Sequence, residues 1–83
     1  MKIKSTDKID IGKNIKTIVE SKNIKKSDII REMQLSGISI NKQRFYKLEH
    51  NISNITADEI YMLAKILGCD IADFFKPNNN SEE

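Results

Sequence analysis

Between Asn41 and His50 the sequence gathers five long hydrogen-bonding side chains: Lys42, Gln43, Arg44, Tyr46 and Lys47. No acid interrupts them before Glu49. These residue types match the edges of base pairs. Lys and Arg suit the acceptors of guanine, Gln pairs bidentately with adenine, and an aromatic ring can touch a thymine methyl. Phe45 and Leu48 lie three apart in the same stretch, so a helix would bury that pair and leave the polar set outside. A helix entering the major groove needs this division, with one face held rigidly and the other free to reach bases. An amphipathic helix in any bundle, with a solvated basic face, has the same pattern. Composition alone leaves both readings open.

Other chemistry is poorly served. His50 is the single histidine and no acidic cluster is spaced to complete a site, so no metal and no cofactor are expected. A surface or phosphate-facing role suits it better. Cys69 is alone, which excludes an internal disulfide and a cysteine-based zinc site and points to simple packing. No glycine-rich phosphate loop or Ser/His/Asp set is present. A chain of 83 residues makes one domain, and at this size only about 60% of the unfolded surface is buried. That leaves no room for a deep catalytic cleft, so neither enzyme activity nor a small-molecule substrate is expected. The N-terminal residues lack the apolar run of a signal peptide, and no segment reaches the roughly 20 apolar residues of a membrane span. A cytoplasmic protein without a membrane partner is the expectation.

Net charge is only +2, but it is unevenly spread. Residues 1–50 carry twelve bases and six acids, whereas residues 51–83 carry two bases and six acids. One cationic face turned to a polyanion would fit, and so would a solvated surface with statistical scatter.

The elements that must position residues 41–50 are helical. Residues 1–9 are polar and aperiodic and are expected to form a flexible arm. Ile11, Ile15, Ile18 and Val19 then mark a first helix, with Asp10 as N-cap and Asn23 as a left-handed stop. A second helix is predicted from Ser27 to Leu35, with Ile29, Ile30 and Met33 inward, ended by Ser36-Gly37. Ile38-Ser39-Ile40 is a short extended connector. Asn41 caps the third helix, and Asn51 can close it. Thr56-Ala57-Asp58-Glu59 is a capping box that opens a fourth, with Ile60, Leu63, Ala64 and Leu67 as its core stripe and Gly68 as its stop. A short fifth helix follows Asp70, from Ile71 to Phe75, before Lys76-Pro77. The predicted fold is therefore all-α, a compact bundle of five short helices without a strand pair. Its domain spans 10–76, with a disordered tail at 77–83.

From Gly12 to Phe75 the ordered landmarks resemble the phage-repressor/Cro-like (Xre-like) helix-turn-helix family. They are Ile11-Gly12, Ile29-Ile30, Phe45-Tyr46-Lys47-Leu48-Glu49, Leu63-Ala64-Lys65-Ile66-Leu67-Gly68 and Phe74-Phe75. The run Met33 to Ile40 looks like the variant with an extended turn before the recognition helix. The resemblance implies a lambda-repressor-like domain acting as a sequence-specific, double-stranded DNA-binding regulator, most simply a repressor. It implies base contacts from Lys42, Gln43 and Lys47, flanked by Arg44 and Tyr46. It implies phosphate contacts from Asn41 and Lys26, each at a helix start where free amides favour an anion. The family glutamate matched by Glu49 usually pairs with an arginine on the first helix, but Val19 stands there, so Glu49 must cap or pair elsewhere. Ile30 replaces a small residue and should push the second and third helices apart or change their crossing. The loop Asn51 to Asn54 lacks the customary base.

Met62 and Ile66 lie opposite the core stripe of the fourth helix, and Phe75 is near them in the sequence order of elements. A second apolar stripe calls for burial, either by a two-fold partner or under the N-terminal arm and the last helix. The expectation is a homodimer through Met62, Ile66 and Phe75. The rival to the DNA reading is a protein-interaction or antitoxin-like module that keeps the fold but binds a protein.

Overall fold

The structure, a computed structural model, describes residues 2–77. Its α-helices are α1 (Ile11–Lys22), α2 (Lys26–Leu35), α3 (Lys42–Glu49) and α4 (Ala57–Leu67). A 3-10 turn covers Ile71–Phe75, and two short strands, β1 (Lys2–Ile3) and β2 (Ile55–Thr56), form an antiparallel pair.

The helix ends follow from their caps. Asp10 accepts from the amide of Lys13, and Asn23 ends α1 in left-handed geometry. Asn41 accepts from Arg44 N at 2.8 Å. Thr56 and Glu59 satisfy each other's free amides in a reciprocal capping box, and Gly68 ends α4 at φ 69°. The core joins Ile15, Val19, Ile29, Met33, Phe45, Leu48, Leu63, Leu67 and Phe74 from all four helices and the final turn. Ile40 is buried and Ile38 half-buried, so the connector before α3 alternates inward as its sequence suggests. Ile30, expected inward, is only half-buried.

Two expectations are corrected. The fold is not all-α with five helices: four α-helices are accompanied by a 3-10 turn and a small sheet. The last segment stays a 3-10 turn because only five residues separate its cap, Asp70, from Lys76, which the following Pro77 holds extended. The sheet arises inside the expected arm. Ile3 sits opposite Ile55 and Lys2 opposite Thr56. Beyond it, Thr6 Oγ1 accepts from Ile9 N, and Ser5 Oγ accepts from Ile11 N at 2.9 Å. A two-residue strand is too short for any hydrophobic period to announce it. Of the expected disordered tail, residues 78–83 lie outside the described residues.

Candidate nucleic-acid interface

Three fastenings hold α3. At its start, Gln34 Nε2 donates to Ile40 O at 2.7 Å, which fixes the extended turn before the Asn41 cap. At its middle, Arg44 reaches across to α4, where Nε and a terminal nitrogen donate to the two Glu59 oxygens at 2.7 and 2.8 Å. The guanidinium also donates to Asn54 O at 3.1 Å. At its end, Asn51 turns the chain at φ 58° and bolts it to α1. Asn51 Oδ1 accepts from Gly12 N at 3.0 Å and from Ser5 Oγ at 2.8 Å, while Nδ2 donates to Asp10 at 2.7 Å.

So held, α3 buries Phe45, Leu48 and Glu49 and exposes Lys42, Gln43, Tyr46 and Lys47 together on its outer side. Arg44 does not join them. Its side chain is 25% exposed, and Nε and one terminal nitrogen are committed to Glu59 and Asn54, so it has a structural task in this arrangement. His50 is exposed and stacks on Tyr46 with ring centroids 4.0 Å apart, and Nδ1 lies 2.9 Å from Tyr46 O. Lys26 and Asn41 stand at the starts of α2 and α3 as anticipated. Met62, Ile66 and Phe75 are half-buried against the core.

The partner of Glu49 is Lys26. Nζ donates to Oε1 at 2.9 Å, and the Glu49 side chain is only 2% exposed against 48% for Lys26. Its other oxygen, Oε2, is buried with no hydrogen-bond partner among the described residues. The pair, with Ile30 and Phe45, lines a cavity of about 360 Å³ between α2 and α3.

The arrangement is two short helices joined by a turn, the second with a polar outer face, fastened to a helical core. A family model described as the Cro/C1-type HTH DNA-binding domain matches residues 14–80. The chain belongs to this family. No curated protein and no solved structure gives a significant match. In this Cro/C1-type domain, α2 and α3 are the two helices of the motif, and α1, α4 and the 3-10 turn form the support.

Two carboxylates in that support give it a pH dependence. Burial pushes the Glu59 carboxyl up, but the bonds from Arg44 and the Thr56 amide outweigh it and hold it below its ordinary value. The Asn51 amide and the Lys13 backbone hold Asp10 below its own. A carboxyl depressed in the folded state stabilises fully above its unfolded pKa, and loses that contribution as pH falls through the folded one. The melting temperature is therefore expected to hold from neutral pH down to about pH 5 and to fall below about pH 4. A Glu59→Gln variant, measured by circular dichroism over the same range, should show a lower plateau and a shallower acid decline.

Sequence reasoning missed two features of this Cro/C1-type domain. The Arg44–Glu59 pair joins residues on different helices with no periodic signal. Ile52, 62% exposed beside the outer face of α3, was visible only as an apolar residue in a polar loop.

Proposed function

We propose that this protein is a sequence-specific double-stranded DNA-binding transcriptional regulator of the repressor kind, working in the cytoplasm and inserting α3 into the major groove. The observation that carries the reading is the outer face of α3, where Lys42, Gln43, Tyr46 and Lys47 are exposed together while Glu49 is turned into the protein. The helix thereby offers donors to base acceptors without an acid to repel phosphates. Lys42, Gln43 and Lys47 read bases, and Tyr46 supports them. Lys26, Asn41 and His50 meet the backbone, helped by the free amides at the starts of α2 and α3. For Lys26, phosphate contact means sharing or leaving Glu49. Arg44 is withdrawn from the base-reading set and kept as a positioning residue. A homodimer through the part of Met62, Ile66 and Phe75 left open by the core would present two copies of α3 on successive major-groove faces.

The test is a fluorescence-anisotropy titration against a randomised duplex pool, with selection and sequencing of the bound fraction at several salt concentrations. A palindromic motif is expected, with affinity falling as salt rises by about 0.9 log units per log unit for each neutralised phosphate. Lys42→Ala combined with Gln43→Ala should weaken the selected site roughly 10- to 100-fold, as loss of base contacts does, without moving the thermal midpoint. Weak and unselective binding, with a Kd above roughly 10⁻⁶ M at physiological salt, would refute the reading and turn attention to a protein partner.

A further inference from the structure

Ile52 is a large apolar side chain that the fold displays and does not use. It is 62% exposed. It lies with Lys42, Gln43, Tyr46 and Lys47 around one open concavity on the outer side of α3. An exposed isoleucine in a mobile loop would mean little, but this one is held. Its amide donates to Lys47 O at 2.8 Å, and Ser53 N shares the same acceptor at 3.3 Å. Its neighbour Asn51 is the residue bolted to Gly12, Ser5 and Asp10. The side chain is therefore displayed from a backbone fixed at both α3 and α1. Such preorganisation lowers the ordering cost of any contact it makes.

We propose that Ile52 is a specificity-determining residue that reads the 5-methyl group of a thymine at the edge of the sequence recognised by α3. This rests on the DNA-binding reading and adds to it. A branched alkyl group gives nothing to a phosphate oxygen, and it cannot replace water at a base acceptor or donor. Among the groups that the four bases present in the major groove, the thymine methyl is the apolar one. Of the four other side chains around the concavity, Lys42, Gln43 and Lys47 offer polar donors and Tyr46 a ring stacked on His50, so Ile52 is the one aliphatic group there. Its place, five residues beyond Lys47 and past the left-handed turn at Asn51, sets the preferred thymine to one side of the bases met by Lys42 and Gln43.

The experiment pairs base and side-chain changes. Once a motif has been selected, each thymine in it is replaced singly by deoxyuridine, which removes only the methyl group. Binding is then measured by anisotropy for the wild type, Ile52→Ala, Ile52→Val and Tyr46→Ala. One flanking thymine should lose about 3- to 10-fold affinity on replacement with the wild type. The same replacement should have no effect with Ile52→Ala and a reduced effect with Ile52→Val, while its effect with Tyr46→Ala should match that in the wild type. Selection repeated with Ile52→Ala should lose the thymine preference at that position alone. If a motif is selected but no thymine shows this coupling, or if the coupling follows Tyr46, the proposal is overturned and the DNA-binding reading stands. If no motif is selected, the two fall together.

Discussion

Arg44→Ala should destabilise the domain by about 3 kcal/mol, the cost of stripping one partner from a largely buried ion pair. The Glu59 side chain is 6% exposed. Without the guanidinium it keeps the Thr56 amide bond at 2.8 Å, but its charge loses the counterion that it has among the described residues. Asn54 O loses a donor as well. A chain of this size has roughly 4–12 kcal/mol of stability in total, so the loss is a large fraction of the whole. Urea denaturation should show the midpoint shifting down with the slope unchanged. The variant that isolates the charge is the double change Arg44→Met with Glu59→Gln, which removes both ionic partners while the glutamine oxygen can still accept from the Thr56 amide, and it should recover much of the stability. Recovered stability without recovered DNA affinity would show that the pair also aims α3. Loss as deep in the double variant as in the single one would sink the account.

The second large effect is expected from the smallest change. Gly12 lies inside α1, where alanine is intrinsically preferred to glycine by about 1 kcal/mol. Packing reverses that preference here. A Cβ at this position would lie 2.6 Å from Asn51 Oδ1, 2.6 Å from Glu49 O and 2.7 Å from Leu48 O. Two of those three atoms are backbone at the end of α3, so α1 and α3 must separate to admit the methyl group. Gly12→Ala should therefore cost about 2–4 kcal/mol, at or beyond the upper part of the range for overpacked cores. It should also weaken DNA binding beyond what the unfolded fraction explains, because the end of α3 and the Ile52 loop move with it. Binding measured well below the variant's melting temperature tests this second claim. A stable, fully active Gly12→Ala protein would show that the α1–α3 approach is looser than the geometry indicates.

The sequence made some of this legible and not the rest, for physical reasons. Caps are local, so Asp10, Asn41 and the Thr56–Glu59 box announced three helix starts, and Asn23 and Gly68 two stops. Periodicity is also local, and it identified Phe45 and Leu48 as the anchors that turn Lys42, Gln43 and Lys47 outward. Arg44 was set beside the base readers because composition treats every long cation on a helix alike, whereas here its guanidinium bonds Glu59 and Asn54. Only the position of α4 decides which of them is claimed from behind. Glu49 was rightly refused a partner on α1, yet its partner Lys26 depended on the α2–α3 crossing. The strand pair escaped because two residues have no period, and because its partners are separated in sequence by three helices.

That last feature bears on the order in which the protein assembles. Helices α1 to α4 pack chiefly on partners one helix removed in sequence, α1 on α3 and α2 on α4, and these contacts bury the apolar core that stabilises the frame. The β1–β2 pair closes a loop that contains three of the four helices, and its entropy must be surrendered before any of its few hydrogen bonds form. The α1 contact with the final 3-10 turn closes a loop as long but buries Phe74 in return, whereas the strand pair has little burial to offset its cost, so it is expected to form late and open early. In native-state hydrogen exchange the amides at the β1–β2 pair should open at far lower free energy than those of α4, so the sheet behaves as a latch fitted after the frame has closed.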